Sequence, residues 1–182
     1  MKTACAFRVA LLAAASCVGL ALAGCGSGNQ PPATEPAPVY RMLLKTLYHN
    51  TVPRLTVARL AQELAVPPAP LLLDVRTPAE FRVSHLAGAQ FVNADSIATA
   101  QLPGLDRRQP VVVYCSVGVR SERLGERLLA LGFRNVRNLH GGIFEWVNEG
   151  HPVVNAAGPT ADIHPYSTLW GLWLRRGNKV SR

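Results

Sequence analysis

The sequence predicts an α/β protein whose mainly parallel central sheet is flanked by helices on both faces. Short runs at 71–75, 111–114 and 135–139 read as strands, the first two almost wholly apolar, as in a sheet covered on both sides. Helix patterns at 56–64, 77–84, 120–131 and 143–148 alternate with them. Strands that alternate with helices form parallel sheets, because each crossover returns the chain to the same end. The 182 residues are 48% hydrophobic, enough to bury the core of one domain with additional segments.

Residues 1–24 form a leader. Lys2 and Arg8 give it a basic start, and 9–22 is an apolar run, rich in Ala and Leu, that is interrupted by Ser16. At 14 residues this run is shorter than the ~20 a spanning helix needs, and small residues follow it, as in a secretory signal peptide. Leu22-Ala23-Gly24-Cys25 resembles the bacterial lipoprotein signal. That resemblance implies cleavage before Cys25 and acylation of its thiol, with stable anchoring through more than one acyl chain. Gly26 rather than Asp follows Cys25, which by the same analogy favours the outer membrane, with the protein facing the periplasm. The other reading is an ordinary signal peptide cut within 21–24. Cys25→Ser is expected to release the protein from membranes into the soluble fraction; unchanged membrane fractionation counts against acylation.

Residues 25–38 continue as a Gly-, Ser-, Pro- and Ala-rich segment with too few apolar side chains for a core, a flexible linker. Residues 39–54 form an N-terminal helical extension, with Leu43, Leu44, Leu47 and Tyr48 at helical spacing before Thr51-Val52-Pro53 breaks the pattern. It packs on the domain or, in the alternative, presents Arg41, Lys45 and its leucines to a membrane surface. Thr56 caps the 56–64 helix, whose apolar face carries Leu60 and Leu64, and Pro67, Pro68 and Pro70 end it. The strand at 71–75 includes Asp74. Thr77-Pro78-Ala79-Glu80 then has the form of a capping box with Pro at the first helical position. Gly88 marks a turn, 89–92 reads as a short strand, and 93–109 is a polar connection ending in the surface loop Asp106-Arg107-Arg108. In the 120–131 helix, Leu124, Leu128, Leu129 and Leu131 are expected on the buried side, with Glu122, Arg123, Glu126 and Arg127 on the wet side. Gly132 follows as its C′ glycine, and Gly141-Gly142 turns the chain into the last helix. Residues 153–182 form a C-terminal basic and aromatic extension. Its Trp170, Leu172, Trp173 and Leu174 either pack back on the domain or offer a partner or membrane surface.

The chemistry centres on Cys115. Of the four cysteines, Cys5 and Cys17 lie in the leader and Cys25 at its end, which leaves Cys115 alone in the body without an intramolecular disulfide partner there. It follows a strand and precedes a helix start in Cys115-Ser116-Val117-Gly118-Val119-Arg120. A helix N-terminus and a cation both favour a thiolate, and a glycine lets the backbone curl so that its N–H groups converge. That describes a nucleophile in an anion-binding cup; an inert buried cysteine is the competing reading at this point.

Three motifs occur in order along the body: Leu73-Asp74-Val75-Arg76-Thr77-Pro78-Ala79-Glu80-Phe81 with His85-Leu86-Ala87-Gly88-Ala89, the 114–121 loop, and Gly141-Gly142-Ile143-Phe144-Glu145-Trp146. Together they resemble the single-domain rhodanese-like family over 55–152. The resemblance implies a sulfurtransferase. Cys115 would take sulfur from a donor such as thiosulfate as a persulfide and pass it to a thiol or cyanide acceptor. Ser116, Val117, Gly118, Val119 and Arg120 would form the binding loop, and no metal or organic cofactor would take part. Related phosphatases carry a C-x5-R loop, whereas C-x4-R here favours sulfur. Ser116 stands where many members have a basic residue, and Val117 and Val119 make the loop mouth apolar, which raises a less charged persulfide or thiol donor as an alternative. A non-catalytic binding or sensing module and a phosphatase or arsenate reductase are the other readings.

Asp74 and Arg76 are candidate supporting residues. Asp74 reads as a structural group, in a salt bridge or a loop hydrogen bond, and Arg76 either steers substrate or pairs with Glu80. Arg120 orients the loop or substrate, or pairs with a carboxylate. His85 is expected to buttress the fold and His140 to belong to a turn. The net charge is +8, and removing Lys2 and Arg8 with the leader leaves +6. These charges are scattered, so no nucleic-acid arm is expected.

Overall fold

The computed structural model describes residues 38–93 and 106–181. The leader, Cys25 and all of the linker but Pro38 lie outside the described residues, as do residues 94–105 of the polar connection.

Helix α1 (Pro38–Leu47) is followed by strand β1 (Arg54–Leu55), helix α2 (Val57–Leu64), β2 (Leu71–Asp74), α3 (Pro78–Val83), β3 (Gln90–Phe91), β4 (Val111–Tyr114), α4 (Val119–Ala130), β5 (Val136–Leu139) and α5 (Gly142–Asn148). These five strands form one sheet in the order β1-β5-β4-β2-β3, and every neighbouring pair is parallel. The expected α/β architecture is therefore present.

Successive strand side chains point to opposite faces, and this divides the core in two. Leu72, Val112 and Tyr114 join Tyr40 and Leu44 of α1, Val57 and Leu60 of α2, and Ile143 and Phe144 of α5. Leu73, Val111, Val113 and Cys115 join Leu124 and Leu128 of α4 on the other face. Each such buried aliphatic side chain contributes roughly 1.5–3 kcal/mol. The uniform apolarity of 111–114 thus reflects a strand with no wet side.

The predicted caps form. The Thr56 side chain accepts from Arg59 N, and Thr77 and Glu80 make both halves of the capping box. Gly132, just past α4, has φ +90°, the left-handed conformation the C′ position needs.

Three expectations change. Strand β1 went unread because it is only two residues long and follows Pro53; pairing with Asn138 and Leu139 makes it an edge strand. In α4 the buried residues are Ser121, Glu122, Leu124, Gly125 and Leu128, while Leu129 and Leu131 are half-buried. Glu122 is buried because the chain after α1 crosses this helix and donates His49 N at 2.9 Å and Thr51 N at 3.0 Å to its carboxylate. Gly125 permits that crossing, since a Cβ there would lie 2.8 Å from Val52. Pro38, placed in the linker by composition, is the first described residue and belongs to α1.

The C-terminal extension packs back on the domain. An antiparallel hairpin, β6 (Val153–Asn155) and β7 (Gly158–Thr160), is followed by β8 (Asp162–Ile163), α6 (Thr168–Gly171) and β9 (Asn178–Lys179), with β8 and β9 parallel. Ile163 and Leu174 enter the core beside α1, and Trp173 stacks on Tyr40 with ring centroids 4.9 Å apart. Asn148 of α5 clamps this segment, donating to Trp173 O at 2.9 Å and accepting from Arg175 N at 2.7 Å. Leu169 and Leu172 stay exposed.

Candidate active site

Strand β4 carries the chain to Cys115, whose side chain shares the α4 face with Val113. Beyond it the backbone turns through Ser116 and Val117 to Gly118, which has φ +96° and is the N-cap of α4. That left-handed turn sends the Gly118 N–H back onto Cys115 Sγ at 3.1 Å. The first-turn N–H groups of α4 lack intrahelical acceptors, and a glycine cap has no side chain to occupy them. The loop thus curls into an open ring with the Gly118 N–H on the sulfur and the first-turn N–H groups of α4 following it in sequence, a setting suited to a group that carries negative charge.

Four neighbours fix the outside of the ring. Helix α5 donates Ile143 N to Cys115 O at 2.9 Å and Phe144 N to Ser116 O at 3.1 Å. Gly142 allows this approach, since a Cβ there would lie 2.7 Å from Ser116 O. Tyr48, just past α1, donates its buried hydroxyl to Val117 O at 2.6 Å and accepts from Gly141 N at 3.1 Å. Asn138 of β5 donates to Gly118 O at 2.8 Å, and its own carbonyl accepts from Ser121 Oγ at 2.7 Å. Sequence reasoning missed Tyr48 and Asn138 as loop-positioning residues, because both reach the loop only through the fold.

Glu80 is the third residue missed, and its position gives it two jobs. One carboxylate oxygen completes the capping box by accepting Thr77 N at 2.9 Å. The same carboxylate takes Arg120 through both terminal nitrogens, at 3.1 and 2.8 Å, and the Ser116 hydroxyl at 2.8 Å. Arg120 also donates to Ser116 Oγ at 3.0 Å. The signal was present in the sequence: a buried carboxylate whose capping bond uses one oxygen has capacity left for a guanidinium. Burial works to raise the Glu80 pKa, but Arg120, the Thr77 N–H and the Ser116 hydroxyl outweigh it and hold the carboxyl at about 2.

A carboxyl depressed in the folded state stabilises the fold above its unfolded value, and that contribution is lost as pH falls towards the folded one. Urea midpoints of the wild type should therefore drop between about pH 4.5 and 2. Glu80→Gln should be less stable near neutrality by about 2 kcal/mol, since it breaks a largely buried pair, and its curve should be flatter across that acid range. An identical acid slope in both proteins would contradict the assignment.

Asp74 and Arg76 sit behind the loop. Arg76 places Nη2 2.7 Å from Asp74 Oδ2 and 2.5 Å from Ser84 O, and neither side chain of the pair is exposed. Arg76 thus pairs with Asp74 rather than Glu80, and a fully buried guanidinium is not placed to steer substrate. The pair ties the end of β2 to the end of α3. His85 stacks on Phe81 and bonds its carbonyl through Nδ1 at 2.9 Å, and His140 lies against the Tyr48 ring. Among the described residues no group of His, Cys, Asp and Glu could hold a metal ion.

Cys115 and its loop line a cavity of about 140 Å³. This is well below the ~300–1,000 Å³ typical of sites for drug-sized ligands. Val117 and Val119 line it from the loop, Leu47 from α1, and Tyr166 and Trp170 from the C-terminal extension. The Tyr166 ring covers the Arg120 guanidinium, 4.6 Å from its centroid.

Residues 56–149 match the family model described as the rhodanese-like domain. Over 99 residues the chain is 34% identical to a sulfurtransferase of Allochromatium vinosum, spanning 54% of this chain and 92% of that protein. It is 35% identical over 91 residues to a tRNA uridine(34) hydroxylase of Hamiltonella defensa, spanning 47% of this chain but only 25% of the relative. The solved structure of a rhodanese-related protein from Thermoplasma volcanium superposes with a TM-score of 0.50 at 30% identity, covering 56% of this chain and 97% of that one.

Proposed function

We propose that this chain, which belongs to the rhodanese-like domain family, is a sulfurtransferase that carries sulfur as a persulfide on Cys115. The observation that carries the reading is the Gly118 N–H on Cys115 Sγ, within a six-residue loop held from outside by Tyr48, Asn138 and α5. The sulfurtransferase of Allochromatium vinosum, matched over nearly its whole length, supports the same class of reaction.

In the first half-reaction the Cys115 thiolate attacks the outer sulfur of a donor such as thiosulfate. The new S–S bond forms as the donor's S–S bond breaks, and sulfite leaves with the electron pair. In the second, cyanide or a thiolate attacks the outer persulfide sulfur, forms thiocyanate or a new persulfide, and returns the Cys115 thiolate. This is double displacement through a covalent intermediate. The ring of N–H groups stabilises the charge on the terminal sulfur as preorganised dipoles. Glu80, Arg120 and Ser116 brace the loop.

The test follows thiocyanate release from cyanide and a sulfane donor, with hydrolysis of an aryl phosphate measured alongside. Thiocyanate formation without phosphate release is expected. Phosphate release without sulfur transfer would move the assignment to a phosphatase, and neither activity to a binding module. We propose further that the domain works at the periplasmic face of a bacterial membrane, most simply the outer one, tethered through acylated Cys25. The leader pattern at 1–24 and the linker composition support this.

A further inference from the structure

The roof of the Cys115 cavity comes from outside the family domain. The family match covers 56–149, whereas Leu47 precedes it and Tyr166 and Trp170 follow it. All three belong to anchored segments. Helix α1 is seated by Tyr40 and Leu44 and leads into Tyr48, all buried in the core. The Tyr166 to Trp170 segment is held by Leu174 in the core, by Trp173 stacked on Tyr40, and by the Ser167 side chain capping Trp170 N at 3.3 Å. Tyr166 itself has φ +64°, in the left-handed region that disfavours a residue with a side chain. The surrounding structure holds it there, with its ring over Arg120.

The charge inside this cavity is already balanced. Among the described residues Arg120 is the only cation lining it, and both terminal nitrogens bind Glu80 while the Tyr166 ring covers its face. Ser116 spends its proton on Glu80 as well. A dianion entering beside the Cys115 thiolate would meet backbone N–H groups but no uncommitted side-chain cation. It would also lose its hydration against Leu47, Val117, Val119, Tyr166 and Trp170, which penalises each buried charge heavily.

We propose, resting on the sulfurtransferase reading, that the two extensions make this site selective for singly charged sulfane-sulfur donors capped by a small alkyl group, with Leu47 and Trp170 as specificity-determining residues. The donor class is that of alkyl thiosulfonates and alkyl hydropersulfides. With methanethiosulfonate the Cys115 thiolate bonds to the outer sulfur, the donor S–S bond breaks, and methanesulfinate leaves with the electron pair. The methyl group occupies the space where thiosulfate carries a charged oxygen, so the two donors differ little in shape and by one charge.

The experiment measures kcat/KM for methanethiosulfonate and for thiosulfate with cyanide as acceptor, each divided by the rate of the same donor with free cysteine to remove intrinsic reactivity. A normalised preference for methanethiosulfonate of at least about tenfold is expected, the scale on which an apolar pocket discriminates one small group. Trp170→Ala should reduce that preference. Leu47→Lys, which adds a cation at the C-terminal end of α1 where the helix dipole accepts one, should raise kcat/KM for thiosulfate and leave methanethiosulfonate less affected. Thermal melts of both variants verify folding, and either variant alone suffices. A normalised preference for thiosulfate, or a ratio unmoved by both substitutions in folded protein, would overturn the inference while leaving sulfur transfer standing. Thiocyanate from neither donor would remove the sulfurtransferase reading and the inference with it.

Discussion

Cys115→Ala is expected to abolish sulfur transfer while leaving the fold intact. Cys115 is the one free cysteine among the described residues, and Glu80, paired with Arg120 and with its pKa held at about 2, is too weak a base to activate the Ser116 hydroxyl it accepts. Removing the group that forms a covalent intermediate lowers kcat by at least about 10³-fold, because what remains is binding and dipole stabilisation without chemistry. The structural cost is small. The side chain is 1% exposed, packs beside Val113 and α4, and alanine vacates only a sulfur-sized space. About 1–2 kcal/mol is expected, the lower range for truncating a small buried hydrophobe. Initial rates of thiocyanate release and urea midpoints measure the two quantities separately. Retained turnover in the folded variant would assign the chemistry to another residue.

Gly118→Ala is expected to damage both stability and turnover. Gly118 has φ +96°, where a side chain is strained in any surroundings, and a Cβ would overlap the Tyr48 hydroxyl and lie 2.7 Å from Tyr48 Cζ and 3.1 Å from Leu139 O. The Tyr48 ring is buried and cannot swing aside without releasing Val117 O and Gly141 N. Strain and two lost hydrogen bonds together suggest a loss of about 2–4 kcal/mol. Because the same residue aims its N–H at Cys115 Sγ, kcat should fall more than tenfold in whatever fraction remains folded. Tyr48→Phe supplies the control. It removes the oxygen nearest the added methyl, so the double variant should be less destabilised than the sum of the two single variants. Strict additivity would mean that Tyr48 does not set the space available to the loop.

Much of the fold was legible because local rules and tertiary demands agree. The wholly apolar run Val111–Tyr114 had to be a strand covered on both faces, and the Thr77 and Glu80 capping box specifies the start of α3 by itself. Cys115, Gly118 and Arg120 were legible as a site because six consecutive residues carry its shape. The unreadable parts are those set by distance in space. Glu122 has the character of a solvated helix residue and becomes buried only because the chain after α1 lies across it. Arg76 has the character of a mobile cation and is sealed against Asp74 by the geometry of the β2–α3 turn. Tyr48 stands 69 residues from the Val117 carbonyl it holds, and Glu80 stands 40 residues from Arg120. Tyr166 and Trp170 lie beyond the family domain, so its motifs gave no reason to place them in the cavity that Cys115 lines.

These contacts converge on one claim, that Cys115 carries sulfur covalently between a donor and an acceptor. The most direct measurement is the intact mass of the reduced protein after exposure to a sulfane donor without acceptor, followed by peptide mapping and then addition of cyanide. The protein should become one sulfur atom heavier, with the addition on the peptide that contains Cys115, and cyanide should remove it with release of an equal amount of thiocyanate. A reduced, alkylatable Cys115 that gains no sulfur from thiosulfate, methanethiosulfonate or a hydropersulfide would contradict the account.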